Sequence, residues 1–271
     1  MTLPSPDPGQ SLRPRRVLVT GASGAIGYSV SEGLAARGHT VRGYDRGPAR
    51  RPGEHVVGEL GDVASLKSAM EGIEVVVHLA ATADSADFVT DLVPNNIVGT
   101  HNVFEAAVAA GAERVVYAST LRVVAGLGWD ERTEPLTAAD GLHPHDFYSL
   151  TKCCGELMGE MYVRSGKLSV ICARCGWFVR NKEEAARMQG MEGAQRVYLS
   201  HRDGAQFFWR AVEVEGVKFA QLFATSKNRG QTILDLAAAR DVLGYEPEDS
   251  WPEGSSWDER EFPSPSAVLR R

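Results

Sequence analysis

The chain has 271 residues, 43% of them hydrophobic, and a formal net charge of -6 at pH 7. This composition supports a buried core; there is no basic block for binding nucleic acid and no apolar run long enough to cross a bilayer. The length suits one large α/β domain with at most a small appendage. Residues 1–15 contain four prolines and no apolar core segment, so we expect a disordered lead-in and not a signal peptide.

Strand-like and helix-like segments alternate from Arg16 to about Gly176. The predicted strands are Val17–Thr20, Thr40–Tyr44, His55–Val57 with Glu59-Leu60, Val75–Ala80, Arg114–Ala118 and Ser169–Ala173. The predicted helices are Ile26–Arg37, Val63–Met70, Ile97–Ala110 and Tyr148–Arg164. This alternation indicates βαβ units, and the continuous apolar strands indicate a sheet that is covered on both faces. We therefore predict an α/β fold with a Rossmann-like, doubly wound parallel sheet.

The alternation weakens after Gly176. The segments predicted there are helices at Asn181–Arg187, Asp203–Val214 and Ile233–Leu243, and strands at Arg196–Leu199 and Val217–Ala224. From Glu246 onward the chain is rich in Pro, Ser, Trp and acidic residues, and we expect it to lie on the surface.

The chain has four cysteines, Cys153, Cys154, Cys172 and Cys175. The last two have the spacing of a metal or redox pair, but they lie in an apolar run and no second pair follows at zinc-site spacing. We predict four reduced thiols in a cytoplasmic protein and no metal site, with metal binding as the alternative.

Three glycines, each three residues apart, follow the first predicted strand and open the first predicted helix. Gly21 permits a sharp turn, Gly24 leaves no side chain between backbone and phosphate, and Gly27 permits close packing of helix on strand. The free N–H groups at the start of that helix favour an anion. The arrangement predicts a dinucleotide pyrophosphate site, and the alternative is a glycine-rich turn without a ligand.

Asp45 ends the second predicted strand. A carboxylate at this position can accept hydrogen bonds from the adenosine ribose and repels a 2′-phosphate, which favours NAD over NADP. The alternative is a turn aspartate, and the nearby Arg46, Arg50 and Arg51 would soften the preference for NAD.

Tyr148 and Lys152 are four residues apart on a predicted helix and share one face. A neighbouring ammonium favours the phenolate of a tyrosine, whose ordinary pKa is about 10. Tyr148 could then exchange a proton with a substrate hydroxyl during hydride transfer. Ser119 and Thr120 follow the fifth predicted strand, where a hydroxyl could polarise the reacting oxygen. The alternatives are a solvated helix face and a hydroxyl that bonds its own backbone.

Six motifs, in this order, resemble those of the extended short-chain dehydrogenase/reductase family, also called the NAD-dependent epimerase/dehydratase family. They are Thr20–Gly27, Gly61–Val63, His78–Ala81, Asn96–Thr100, Ser119–Thr120 and Tyr148–Lys152. The resemblance implies the catalytic residues Thr120, Tyr148 and Lys152. It also implies an NAD site formed by Gly21, Ser23, Gly24, Ala25, Ile26, Gly27, Asp45, Arg46, Asp62, Val63, Leu79, Ala80, Ala81, Asn96, Tyr148, Lys152 and Cys175.

Within this family the chain resembles uronate dehydrogenases, which oxidise a free hexuronic acid at C1 with NAD. The segments that carry this likeness are Phe147–Cys153, Arg174–Gly176, Ser200–Asp203 and Leu243–Pro247. Leu121 and Arg122 stand where those enzymes have Asn and His, and Arg187 resembles their carboxylate-binding arginine. Arg122 could also pair with a carboxylate. The predicted substrate site is Ala83, Ser85, Thr120, Leu121, Arg122 and Arg187.

The combined prediction is an NAD-dependent oxidoreductase that oxidises a hydroxyl or hemiacetal of a small sugar or sugar acid. An NAD-binding domain would span 16–176, and a small substrate-binding region with a tail would span 177–271. The alternatives are a sugar or nucleotide-sugar epimerase and a non-catalytic NAD(P)-binding protein. Dehydration is set aside, because Leu121 and Arg122 cannot supply the acidic pair of dehydratases. The family resemblance also implies a homodimer paired through the helices Ile97–Ala110 and Tyr148–Arg164.

Overall fold

A computed structural model describes residues 13–83, 86–128, 134–228 and 233–253. Its strands are β1 (Arg16–Thr20), β2 (Thr40–Asp45), β3 (Glu54–Val57), β4 (Val75–His78), β5 (Arg114–Thr120), β6 (Ser169–Cys175), β7 (Trp177–Phe178), β8 (Tyr198–Leu199) and β9 (Phe219–Ala224). Its α-helices are α1 (Ala25–Ala36), α2 (Val63–Ala69), α3 (Gly99–Ala109), α4 (Phe147–Arg164), α5 (Lys182–Gly190), α6 (His201–Glu213) and α7 (Ala237–Leu243). None of the described helices is both long and apolar enough to cross a membrane.

Seven strands form one parallel sheet in the order β3-β2-β1-β4-β5-β6-β9. Successive side chains of a strand point to opposite faces, so Val17 and Val19 of β1 join one core cluster and Leu18 joins another. Helices α1, α6 and α7 cover the first face, and α2, α3 and α4 cover the second. The predicted doubly wound parallel sheet is confirmed.

The chain reverses its direction of winding between β1 and β4, which are neighbours in the sheet. The segments that follow these two strands meet there. A Cβ atom at Gly21 would lie 2.8 Å from the backbone N of Ala80. Ligands of doubly wound sheets bind at this kind of switch point, beyond the carboxyl ends of the strands. The fold therefore brings the glycine turn to the expected position.

Several predicted strand ends were wrong by one or two residues. Glu59-Leu60 lies outside β3, because the ladder ends where β2 ends, with Asp45 opposite Val57. Leu79 and Ala80 lie outside β4 for the same reason, since β1 ends at Thr20. Conversely, β5 and β6 each run two residues further than predicted.

The helix predicted over Ile233–Leu243 was wrong in its first four residues. Leu136 donates its N–H to the carbonyl of Ile233, and Asp235 donates to the carbonyl of Leu136. These backbone groups are committed to a β-bridge between Leu136 and Leu234. The helix therefore begins only at Ala237.

Three further elements differ from the prediction. Helix α3 begins at Gly99 and is preceded by a π-helical segment, Phe88–Val98, which contains Pro94 and was not predicted. Only Tyr198–Leu199 of the strand predicted at 196–199 is extended, and it pairs with β7. Helix α6 begins at His201 because the Ser200 hydroxyl accepts the N–H of Asp203.

Helix α4 begins at Phe147 because Asp146 and Ser149 form a reciprocal cap. The Asp146 carboxylate accepts the Ser149 N–H at 2.7 Å, and the Ser149 hydroxyl accepts the Asp146 N–H at 3.0 Å. The helix lies close against β5, since a Cβ atom at Gly155 would lie 2.2 Å from the phenol oxygen of Tyr117. Because the helix lies so close, its Lys152 side chain reaches the carbonyl of Ala118 near the end of β5.

The domain boundary expected at residue 176 stays a prediction. Two elements from beyond it are part of the same packed unit, because β9 pairs with β6 in the main sheet and α6 packs against α1. In that packing a Cβ atom at Gly33 would lie 3.0 Å from the Cβ of Ala205.

Candidate functional site

The glycine turn has the geometry of an anion site. Gly21 has φ +72°, which a side chain rarely adopts, and a Cβ at Gly27 would lie 2.0 Å from the Gly21 carbonyl oxygen. Gly24 caps α1 without any side-chain hydrogen bond, and the first turn of α1 has no acidic residue. The first N–H groups of this helix therefore have no side-chain acceptor from its cap. Such a helix end fits the pyrophosphate of a dinucleotide.

We expect two glycine substitutions to separate folding from cofactor binding. Gly27→Ala should cost about 1–3 kcal/mol of unfolding free energy and weaken NAD binding, because the Gly21 backbone would have to move. Gly24→Ala should leave stability close to wild type, because its Cβ meets only the Gly21 carbonyl oxygen at 3.3 Å, and should still weaken NAD binding. Urea unfolding and calorimetric titration with NAD measure the two effects. Wild-type NAD affinity in Gly24→Ala would contradict a pyrophosphate at this turn.

Asp45 lies beside the glycine turn at the end of β2. Its carboxylate accepts the N–H of Ser23 at 3.1 Å and the N–H of Gly47 at 2.8 Å. The bond to Gly47 is that of a turn aspartate, and the bond to Ser23 ties the carboxylate to the glycine turn. Arg46 is exposed next to it. Both the turn role and a ribose contact are therefore compatible with this position.

The remaining cofactor residues lie on either side of the switch point. Asp62 caps α2 by accepting the Ser65 N–H at 3.0 Å, and Val63 is exposed. Leu79 and Ala80 donate their N–H groups to Thr20 Oγ1, both at 3.2 Å. With Ala81, they are half-buried. The backbone that would line the cofactor cleft is thus held by a threonine of β1.

His78 supports this threonine from inside the core. Its Nδ1 lies 2.8 Å from Thr20 Oγ1 and its Nε2 lies 3.2 Å from Thr100 Oγ1. Because Thr20 Oγ1 already accepts two amides, its own hydrogen goes to Nδ1, which assigns the His78 proton to Nε2. Burial, together with the charge of Lys152, lowers the pKa of His78 to about 3.

This histidine predicts acid sensitivity. Below the unfolded-state pKa of 6.5 the unfolded chain binds a proton that the folded state does not take up until about pH 3. The free energy of unfolding therefore decreases as the pH is lowered through that window, by about 2–3 kcal/mol between pH 6.5 and 4.5. His78→Asn should be less stable than the wild type at pH 7. Between pH 7 and 4.5 its free energy of unfolding should decrease by about 2–3 kcal/mol less than that of the wild type, as measured by urea unfolding. His101→Asn, at an exposed position, is the control and should keep the wild-type pH dependence.

The predicted catalytic residues lie on β5 and α4: Thr120 is the last residue of β5, and Tyr148 and Lys152 are on α4. Thr120 ends β5 directly opposite Cys175 of β6. Lys152 Nζ donates to the carbonyl of Ala118 at 2.9 Å and lies 5.8 Å from the centroid of the Tyr148 ring. Burial lowers the pKa of Lys152 to about 8.

Asn96 connects the loop after β4 to the catalytic helix. Its side chain accepts the Thr82 N–H at 2.8 Å and donates to the Thr82 carbonyl at 2.9 Å. It also donates to the hydroxyl of Thr151, the residue before Lys152, at 3.1 Å. The bracing role that the resemblance implied for Asn96 stays a prediction, and these contacts are compatible with it.

The predicted substrate residues are less closely grouped. Ala83 is half-buried in the loop after β4, and Ser85 lies outside the described residues. Leu121 belongs to a buried apolar cluster. The Arg187 guanidinium carbon lies 5.4 Å from the centroid of the Trp177 ring. The Arg122 guanidinium carbon lies 5.4 Å from the centroid of the Tyr148 ring, and its guanidinium pairs with Asp146.

A buried polar cluster behind the catalytic residues was missed. Glu156 of α4 accepts hydrogen bonds from Ser119 at 2.5 Å, from both Arg174 Nε (3.0 Å) and Arg174 Nη2 (2.9 Å), and from Gln221 at 2.7 Å. Glu156 and Arg174 are both fully buried. The available sequence indication was an arginine inside the apolar strand β6 and a glutamate four residues after Lys152.

All four cysteines are free thiols, and three of them are buried. Burial raises the pKa of Cys175 to about 12, against the opposing charge of Lys152. Cys175 therefore stays protonated at neutral pH beside the lysine.

A parallel sheet that winds in both directions from a switch point, with its polar groups beyond the carboxyl ends of β1, β2 and β5, is the architecture of dinucleotide-binding enzymes. The match to known families is more specific. Residues 17–179 match the NAD dependent epimerase/dehydratase family, and the chain belongs to this family. The predicted family is thereby confirmed.

Several of the relatives are sugar or sugar-acid dehydrogenases. The chain is 32% identical over 252 residues to an L-arabinose 1-dehydrogenase (NAD(P)(+)) of Haloferax volcanii, covering 87% of this chain and 97% of the relative. It is similar to the crystal structure of a glucuronic acid dehydrogenase from Chromohalobacter salexigens, with a TM-score of 0.75, 26% identity and 94% coverage of each chain. A mutant of uronate dehydrogenase from Agrobacterium tumefaciens complexed with NAD has a TM-score of 0.73 and 26% identity, with coverage of 88% of this chain and 86% of that one.

Proposed function

We propose that the protein is an NAD-dependent oxidoreductase that oxidises a hydroxyl or hemiacetal of a small sugar or sugar acid. The observation that carries this proposal is the pair Tyr148 and Lys152 beside the end of β5, with Lys152 Nζ bonded to the carbonyl of Ala118. The family and the activities named for its relatives support the same reaction class.

In this proposal NAD is held by the glycine turn, Asp45 and the backbone after β4, and when bound it supplies the hydride acceptor. Tyr148 removes the proton from the reacting hydroxyl, and Thr120 orients that oxygen. Lys152 stabilises the phenolate as a buried cation. The predicted region 177–271 would complete the substrate side of the site.

The test is turnover on a panel of free aldoses and uronic acids with NAD and with NADP, followed through the absorbance of the reduced cofactor. We expect reduction of NAD with at least one member of the panel. NAD binding without turnover would favour a non-catalytic protein. An isomerised sugar without release of reduced cofactor would favour an epimerase.

We also propose that the protein is cytoplasmic and forms a homodimer through α4. Four apolar residues of α4 are exposed at spacings of three, seven and four residues, namely Phe147, Leu150, Leu157 and Met161. This spacing gives one apolar stripe along the helix.

Light scattering should give a dimer for the wild type and a monomer for Leu157→Glu. The control is Val57→Glu on the edge strand β3, where the wild-type residue is 62% exposed. A monomeric wild type would contradict the dimer.

A further inference from the structure

The two hydroxyl residues at the end of β5 have different surroundings. Successive side chains of a strand point to opposite faces, so the side chains of Ser119 and Thr120 diverge. Ser119 is 4% exposed, and its hydroxyl donates to Glu156 Oε1 of α4 at 2.5 Å. That bond uses the only hydrogen of the Ser119 hydroxyl. Ser119 therefore serves the contact with α4, and Thr120 is left as the candidate for orienting a substrate oxygen.

The carboxylate of Glu156 is also held by two other strands of the sheet. Arg174 of β6 donates to both of its oxygens, from Nε at 3.0 Å and from Nη2 at 2.9 Å. Gln221 of β9 donates to Oε2 at 2.7 Å. A bidentate pair between an arginine and a carboxylate fixes direction as well as distance. Glu156 is thus an anchored acceptor for the Ser119 hydroxyl.

Ser119 lies between two groups of the proposed catalytic site. On one side is Ala118, whose carbonyl accepts the hydrogen bond of Lys152 Nζ at 2.9 Å. On the other side is Thr120, the last residue of β5. Glu156 follows Lys152 by four residues, which places both side chains on one face of α4. Helix α4 therefore contacts the end of β5 twice, through Lys152 at residue 118 and through Glu156 at residue 119.

We propose that Ser119 and Glu156 are positioning residues that hold the end of β5 in register with α4. Their hydrogen bond fixes the peptide between Ala118 and Ser119, so that the Ala118 carbonyl stays on the Lys152 ammonium. In this role neither Ser119 nor Glu156 touches substrate or cofactor, and Arg174 anchors the carboxylate. The catalytic meaning of this inference rests on the proposed function.

Two variants separate positioning from a general effect on the core. Ser119→Ala and Gln221→Met each remove one neutral donor from the Glu156 carboxylate and leave its pair with Arg174 intact. Ser119→Ala frees the end of β5, so kcat should fall by about 10- to 100-fold, with the KM for the sugar and the NAD affinity close to wild type. Gln221→Met should retain the wild-type kcat, because β9 carries none of the predicted catalytic residues. Urea unfolding shows whether both variants remain folded.

A measurement without substrate follows the contact itself. The carbonyl carbon resonance of Ala118 in NMR spectra, detected through the amide of residue 119, should shift as Lys152 loses its charge. The shift should be centred on the Lys152 pKa of about 8, and Lys152→Met should abolish it. His78 and Cys175, which also interact with the charge of Lys152, have pKa values of about 3 and about 12, so neither titrates in this range.

The amplitude of that shift should be much smaller in Ser119→Ala and unchanged in Gln221→Met, because only the first variant releases the Ala118 carbonyl from Lys152. Equal amplitudes in the wild type and Ser119→Ala, or an equal loss in both variants, would overturn the inference. In an active protein, a wild-type kcat in Ser119→Ala would overturn it as well. If the titrations behaved as expected but the wild type oxidised no sugar in the panel, the proposed function alone would fail.

Discussion

Tyr148→Phe is expected to lower kcat by about 10²- to 10⁴-fold, the usual contribution of a positioned acid–base group. The substitution removes only the phenol oxygen and keeps the ring that packs near Lys152 and Arg122. NAD affinity should therefore stay close to that of the wild type. Steady-state turnover on the best substrate of the panel and calorimetric titration with NAD measure the two quantities.

The matched control for this variant is Tyr162→Phe. Tyr162 lies on the same helix, and its hydroxyl donates to Glu105 away from the catalytic end. Its removal should leave kcat unchanged. If Tyr148→Phe turned over substrate at the wild-type rate, another group would have to be the base, and the proposed mechanism would fail.

Arg174→Met is expected to have the largest effect on stability. It would leave the fully buried carboxylate of Glu156 without its cation, and removing one partner of a buried ion pair costs about 3–5 kcal/mol. Urea unfolding at neutral pH measures this loss. The double variant Arg174→Met with Glu156→Leu should recover much of it, because an apolar replacement of both partners removes the unpaired charge.

The control for Arg174→Met is Arg240→Met, which breaks a pair with Glu246 whose side chains are both more than half exposed. Exposed pairs contribute little, so its stability should remain close to that of the wild type. Equal stability of the two variants would contradict a large cost for removing Arg174 from its buried pair with Glu156.

The cofactor side of the site could be predicted because its rules are local. A turn of Gly21, Gly24 and Gly27 between an apolar strand and a helix requires glycine for reasons of backbone angle and contact within seven residues. Tyr148 and Lys152 share a helix face by spacing alone. Such patterns can be recognised without knowledge of the rest of the fold.

The parts that were missed depend on residues distant in the chain. Arg122 and Asp146 are 24 residues apart, and Glu156 and Arg174 are 18 apart, so each pairing exists only once α4 is docked on the sheet. Leu234 was assigned to a helix because its partner in the β-bridge, Leu136, cannot be recognised from local periodicity. The substrate residues are the hardest to predict from the sequence, because they come from several loops.

The close approach of α4 to β5 has a consequence for how this sequence can vary. Position 155 has no space for even one methyl group while position 117 is tyrosine, because that methyl would lie 2.2 Å from the phenol oxygen. A larger residue at 155 can be accommodated only if the residue at 117 becomes smaller. Among homologues in which α4 packs equally close to β5, positions 155 and 117 should therefore change together. The close packing that brings Lys152 to β5 would then be visible as covariation between a helix position and a strand position.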